Sequence, residues 1–170
     1  MSILRVVSYK KIILIDIIFV LFIYLVPTIS HLTAYPLYLA DPMRLSVLGS
    51  YLLLRNRNNS LILAMTLPLV SYLISGHPIA IKNLIIAIEL FVNVMIVDMF
   101  INIKLHTFWA VLLSIFISKI LYYLLKAGAI YWGLLHTSLV DTDITIQLVV
   151  AIIVAYLFNY LFRKNNEIIR

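Results

Sequence analysis

Residues 79–102 read IAIKNLIIAIELFVNVMIVDMFIN, an apolar stretch whose only charged members are Lys82, Glu89 and Asp98. An α-helix rises about 1.5 Å per residue, so this stretch is long enough to cross the roughly 30 Å hydrocarbon core of a bilayer. Similar apolar stretches fill most of the chain, separated by short polar breaks. The sequence therefore predicts a helical membrane protein.

The composition supports this class. The chain has 170 residues, of which 64% are hydrophobic and 12% charged, and its mean hydropathy is +1.10. A soluble domain of this size does not carry so much apolar surface. The formal net charge of +6 does not indicate nucleic-acid binding, because the cations stand at helix ends, where they suit lipid headgroups. Cysteine is absent, which excludes disulfides and thiol chemistry.

We predict one all-α transmembrane domain over residues 1–170. The first span is expected to end near Pro27, where the ring removes a helix hydrogen bond. The second is only about 20 Å long, so the apolar connection before it, SHLTAYPLYLAD (30–41), is expected to be partly re-entrant from the outer side. The six predicted spans lie at about 12–29, 42–54, 60–75, 79–102, 107–126 and 144–162.

The orientation follows from lysine and arginine, which accumulate on the cytoplasmic side of membrane proteins. Both termini are therefore predicted to be cytoplasmic. The cations in every second polar break, which lie on this predicted side, are Arg5, Lys10, Lys11, Arg55, Arg57, Lys104, Arg163, Lys164 and Arg170.

The fourth span carries a polar stripe. Lys82, Glu89 and Asn93 are seven and four residues apart, which places them on one face of a helix. A charge at the centre of a bilayer costs about 2.5–3.5 kcal/mol on insertion scales, so each charged side chain needs a partner, water or a ligand. This stripe is expected to face the protein interior.

The fifth span carries a second stripe, formed by Lys119, Tyr122 and Lys126. Glu89 lies about 15 Å and Lys119 about 10 Å below the outer ends of their spans, so we predict that these two side chains meet. One interpretation is an ion pair that only fixes helix packing, although buried ion pairs are weak evidence of stability. The other is a polar cavity, open to the outside, that binds a small solute.

Three further cations in the outer half, Arg44, Lys82 and Lys126, favour a solute with a carboxylate or another anionic group. Alternatively, each of them extends to lipid phosphates. No metal-ligand spacing and no cofactor motif is present. The predicted substrate-binding residues are Glu89, Asn93, Lys119, Tyr122, Lys82, Arg44, Tyr35 and His77.

Enzyme signatures are absent from the sequence, including G-x-S-x-G, H-E-x-x-H and the phosphate loop. Asp141 and Asp143 are close together, but an acidic N-cap region before the sixth span accounts for them. We therefore predict that the chain is not an enzyme. The alternative of an enzyme acting on lipid-linked substrates would use Asp141, Asp143 or His136.

In architecture the chain resembles the substrate-binding S component of energy-coupling factor transporters. The shared features are a length under 200 residues, six spans with both ends cytoplasmic, a first outer connection that can cap a cavity, and a third span with Pro68 at its centre. The resemblance implies a prokaryotic cytoplasmic (inner) membrane protein that captures a vitamin-like solute from outside. It also implies two kinds of partner, a transmembrane coupling protein and ATPase subunits.

The alanine-x-x-x-alanine contact of that family has no counterpart in residues 12–29. The nearest pairs of small residues are Ser46 with Ser50 and Ser71 with Ser75, which allow close helix approach instead. A second class of function also fits the sequence: a membrane scaffold similar in plan to the small cell-shape protein that organises wall synthesis. Its polar stripes would contact partner helices rather than a solute.

Overall fold

The computed structural model describes residues 9–34, 37–75 and 79–167 of the chain. The described residues form six α-helices and one short 3₁₀ turn, and they contain no β-strand. The all-α fold class is therefore confirmed. The helices are α1 (Tyr9–Thr33), α2 (Pro42–Leu54), α3 (Arg57–Ser75), α4 (Ala80–Asn102), α5 (Thr107–Tyr131) and α6 (Ile144–Glu167).

Four of these helices are long and apolar enough to cross a membrane, namely α1, α4, α5 and the Ile144–Leu161 part of α6. The chain is thus a membrane protein by the length and composition of its helices. Helices α4 and α5 are rich in isoleucine, leucine and valine and contain few charged residues. Both helices therefore have the apolar character that lipid requires. Six spans and the orientation of the termini remain predictions.

The short helix α2 lies in the middle of the bundle. Nine of its 13 residues are buried, and it contacts α1, α3, α4 and α6. Its buried face contributes Val47, Leu48 and Leu52 to the main apolar core, which Val94 and Val97 of α4 also enter. A helix of this length cannot span a bilayer alone, but α2 is packed against four other helices of the bundle.

Two helix ends differ from the sequence prediction. Pro27 does not end the first helix, because α1 continues through it to Thr33. One lost hydrogen bond is tolerated in a long membrane helix whose other backbone groups remain paired. The fifth helix runs beyond Lys126 to Tyr131, and its last turn is closed by the backbone amide of Trp132, which donates to Gly128. The extra turn has the apolar sequence AGAIY, which allows the helix to continue.

The predicted re-entrant connection is partly described. After Thr33, the 3₁₀ turn Leu37–Ala40 packs against α1, α2 and α6, so this segment lies on the bundle rather than away from it. The connection between α5 and α6, residues 132–143, has no regular helix and is mostly exposed, apart from Leu135, which is buried. These two connections bound the site described below.

Candidate functional site

A cavity of about 720 Å³ lies between α2, α4, α5 and α6. Its wall is apolar on the α6 side, where Val150, Ala151 and Val154 contribute, and strongly ionic on the α4 and α5 sides. The lining holds four cationic and three acidic side chains, so one positive charge is in excess when all are ionised. The seven charged side chains are Arg44, Lys82, Lys119, Lys126, Asp41, Glu89 and Asp141.

The first group of charges, here called the Glu89 cluster, consists of Asp41, Arg44, Glu89 and Lys119. The guanidinium of Arg44 donates to Glu89 Oε1, and both side chains are almost fully buried. The Nζ atom of Lys119 lies 3.1 Å from Glu89 Oε1 and 3.9 Å from an oxygen of Asp41, which in turn is 3.3 Å from Arg44. Two cations and two carboxylates balance, so this cluster is neutral.

The predicted contact between Glu89 and Lys119 is therefore present, but it is not an isolated pair. Arg44 of α2 binds the same carboxylate oxygen. Lys119 keeps 27% of its side-chain surface exposed beside the cavity, whereas Glu89 keeps only 3%. Glu89 thus serves as the buried counter-ion of the cluster, whereas Lys119 and Asp41 are its partly exposed members.

The second group, here called the Asp141 cluster, consists of Lys82, Lys126, Ser138 and Asp141. Lys82 and Lys126 both donate to Asp141 Oδ2, at 2.6 and 2.8 Å, and Ser138 donates to Oδ1 at 2.8 Å. Two cations face one carboxylate, so the excess positive charge of the cavity lies here. Lys126 is only 1% exposed, an unusual degree of burial for a lysine.

Tyr122 separates the two clusters. Its ring centroid is 5.0 Å from Lys119 Nζ and 5.9 Å from Lys126 Nζ, within the range of cation–π attraction. The three residues are one helical turn apart on α5, which explains why they share a face. An aromatic ring between two ammonium groups offers an apolar contact flanked by positive charge.

The carboxyl of Asp141 lies in the connection outside the helices. Partial burial raises the pKa of this carboxyl, but the hydrogen bonds from Lys126, Lys82 and Ser138 outweigh burial and hold the pKa well below its usual range. A lowered carboxyl pKa means that the group stays ionised at neutral pH. Asp141 therefore faces Lys82 and Lys126 as a carboxylate.

The structure brings five of the eight predicted site residues to the cavity: Arg44, Lys82, Glu89, Lys119 and Tyr122. Asn93 is not among the lining residues of this cavity, so its part in a binding site stays a prediction. It is 1% exposed and lies one turn beyond Glu89, where α4 and α5 are in direct contact. Tyr35 and His77 fall outside the described residues, so their part in the site remains a prediction.

Asn93 instead joins two helices. Its Nδ2 group donates to Ser114 Oγ at 3.3 Å and to Ser118 Oγ at 3.2 Å, both on α5. The hydroxyls of these serines donate in turn to backbone carbonyls of their own helix. Small hydroxyl residues opposite an amide are a common way for membrane helices to pack closely.

We expect Asn93→Ala to lower the free energy of unfolding by about 1–2 kcal/mol, because two interhelical hydrogen bonds and some packing volume are lost. Retention of a cavity-bound compound should not change. Denaturant unfolding in detergent and mass spectrometry of bound compounds measure the two effects. Asn102→Ala, at an exposed position of the same helix, is the control. If Asn93→Ala lost the compound without a change in stability, Asn93 would be a binding residue.

Asp141 was not among the predicted substrate-binding residues, although it lines the cavity, and its side chain bonds Lys82, Lys126 and Ser138 rather than the first turn of α6. Asp143 caps the start of α6, because its Oδ1 accepts a hydrogen bond from the backbone amide of Thr145 at 2.8 Å. The signal available in the sequence was charge balance: Lys82 and Lys126 had no assigned counter-ion, and Asp141 is the first carboxylate after the C-terminal end of α5. His136, the third residue of the enzyme alternative, is exposed and does not line the cavity.

A further polar group lies at the other end of α4. Asp98 accepts a hydrogen bond from Tyr51 Oη at 2.9 Å and one from Arg57 at 3.3 Å, and Asn102 donates to it as well. This group ties α2 and α3 to α4 and does not reach the cavity. Among the described residues, no set of three or more His, Asp or Glu side chains is placed to hold a metal ion.

These observations define a class: an all-helical membrane protein with a charged internal cavity between a central short helix and three longer ones. Comparison with known proteins adds no relative. No protein-family model, curated protein or solved structure matches the chain.

Proposed function

We propose that this protein is the solute-binding membrane subunit of an importer of the energy-coupling factor type. It captures a small, vitamin-like solute with an anionic group from the outer side of a prokaryotic cytoplasmic membrane. In this proposal both termini are cytoplasmic, and the connection formed by residues 34–41 enters the membrane from outside. The chain carries out no chemical reaction of its own.

One observation carries the proposal: the cavity is large, ionic and lined from four different helices. Its volume of about 720 Å³ falls within the range of small-molecule sites in proteins. Helices that served only to pack against one another would close such a space, because voids cost contacts. Charged side chains at membrane depth mark solute or ion pathways more often than structural contacts.

The lining indicates the kind of solute. Ile86, Leu90 and Ile115 join the apolar residues of α6, so the body of the solute is apolar. Gln147 and Tyr123 form a hydrogen-bonded pair of side chains at the wall, with 2.8 Å between Gln147 Oε1 and Tyr123 Oη, which provides a neutral polar contact. The excess positive charge favours an anionic group on the solute.

The proposed partners follow from the energy source. Importers of this type have two kinds of partner. The ATPase subunits supply the free energy for transport, and the transmembrane coupling protein contacts the solute-binding subunit within the membrane. Helix α1 is the element best placed for that contact. It lies at the edge of the bundle with only Ile23 and Val26 buried. Ser46 and Ser50 are not available for docking, because both are fully buried inside the chain.

The test is mass spectrometry of small molecules that co-purify with the protein. We expect an anionic compound at close to one per chain in the unaltered protein and less than about a tenth of that in Lys119→Ala, because Lys119 is a partly exposed cation of the cavity. Lys104→Ala removes an exposed lysine in the turn after α4 and should leave the compound bound. Equal retention in both variants, or no compound in any sample, would count against the proposal.

A membrane scaffold is the second candidate, and one observation favours it. All seven cavity charges have an opposite charge within 4.0 Å, as expected if the clusters merely hold helices together. This candidate predicts a cavity that never retains a compound. It also predicts crosslinks from the exposed face of α1 to a wall-synthesis protein in intact cells.

A further inference from the structure

The starting observation is that two lysines share one carboxylate oxygen. Lys82 comes from the first turn of α4 and Lys126 from the outer half of α5, and both Nζ atoms lie within 2.8 Å of Asp141 Oδ2. All three side chains line the cavity. The position between the two ammonium groups is therefore a built anion site, and in this structure a residue of the chain itself occupies it.

The lysine that depends most on Asp141 is Lys126. Its side chain is 1% exposed, and among the described side chains Asp141 is the one carboxylate within 4.0 Å of its ammonium group. A buried ammonium without a counter-ion is strongly unfavourable. Asp141 can leave only if another anion takes its place, whereas a neutral molecule would leave Lys126 buried and unpaired.

The acidic partner, by contrast, is not buried, although three hydrogen bonds hold its carboxylate. Asp141 keeps 36% of its side-chain surface exposed and belongs to the irregular connection between α5 and α6. Only Asp141 and Thr142 of that connection reach the cavity. Moving Asp141 outward breaks no helix, and its carboxylate would pass directly into water, where it is well solvated.

From this geometry we infer that Asp141 is an internal anion that holds the two-lysine position until the anionic group of the solute replaces it. The inference rests on the proposed function and makes it more specific. The exchange of one carboxylate for another leaves Lys82 and Lys126 paired and keeps the charge of the cavity unchanged. Asp141 thus determines specificity, because it admits a carboxylate-bearing solute and excludes a neutral one of the same shape.

The natural absence of cysteine permits a direct test, since one introduced thiol is unique in the chain. Val150→Cys places that thiol on the apolar wall of the cavity with little change in volume. Two thiol reagents of similar size serve as probes: an anionic sulfonatoethyl methanethiosulfonate and a cationic trimethylammonioethyl methanethiosulfonate. The readout is the rate at which the anionic reagent modifies the thiol divided by the rate for the cationic reagent. A change in the reactivity of the thiol itself affects both rates equally and cancels in this ratio.

In the Val150→Cys background, Asp141→Asn should raise this ratio about tenfold, because the competing anion is gone and both lysines are free to attract the probe. Asp141→Glu, which restores a carboxylate, should return the ratio to within about twofold of its starting value. Asp143→Asn removes the same charge two residues away and preserves the helix cap, since asparagine caps as well as aspartate. It is the matched control, and its ratio should change by less than about twofold.

Two outcomes would overturn the inference. One is a ratio in Asp141→Asn no higher than in Asp143→Asn, which would mean that Asp141 does not compete with anions. The other is an equal rise of both rates, which would mean that the connection has simply loosened. Because the probes are synthetic, the result does not depend on finding a natural solute. Failure here and failure of the co-purification experiment are therefore separate results.

Discussion

Glu89→Gln is expected to lower the free energy of unfolding by about 3 kcal/mol. Glu89 and Arg44 are both nearly fully buried, and the substitution leaves the guanidinium with Asp41 alone, at 3.3 Å. Breaking one partner of a buried ion pair costs about 3–5 kcal/mol, and the remaining carboxylate keeps the loss at the lower end of that range. Chemical unfolding of the detergent-solubilised protein, followed by circular dichroism, measures the change.

The matched control for this prediction is Asp98→Asn. Asp98 also binds an arginine across two helices, but Arg57 keeps 49% of its side-chain surface exposed, so the loss should stay below about 1 kcal/mol. The double variant Arg44→Gln with Glu89→Gln should recover much of the stability, because no buried charge is left unpaired. Unfolding of Glu89→Gln at the same denaturant concentration as the unaltered protein would contradict the buried cluster.

Lys126→Met is expected to weaken solute binding by roughly a hundredfold while leaving the fold intact. A charge-assisted hydrogen bond to the solute is lost, which is worth about 2–3 kcal/mol. Methionine fills nearly the same space as the lysine side chain, and Asp141 keeps Lys82 as a partner at 2.6 Å and keeps its access to water. The expected pattern is therefore loss of binding with stability kept, whereas Glu89→Gln is expected to lower stability.

Retention of the co-purifying compound after equal washing measures the binding effect, and the same unfolding experiment measures stability. Lys104→Met is the control, because it removes a lysine of the exposed turn after α4 and should alter neither quantity. If Lys126→Met retained the compound as fully as the control, the Asp141 cluster would have no part in binding. If it failed to fold, Lys126 would be a packing residue, as the scaffold alternative requires.

How much of the site was predictable depends on the residue. Glu89 and Lys119 were matched by depth along their helices, because a regular helix converts residue number into distance from the membrane surface. Tyr122 was placed by its spacing from Lys119 on the same helix face. Asn93 lies on the same helix face as Glu89 but does not line the cavity. Helix periodicity predicts the face on which a side chain lies, but not where along the helix α4 and α5 come into direct contact.

The amino-acid sequence by itself determined that this chain is helical and belongs in a membrane, because those properties depend on local apolar content and on residue spacing within one helix. It also determined which residues share a face. Apart from the contact of Glu89 with Lys119, only the tertiary structure decided which charges meet. Arg44 and Glu89 are 45 residues apart and Lys82 and Asp141 are 59 apart, and contacts at such separations depend on how helices and connections pack in three dimensions.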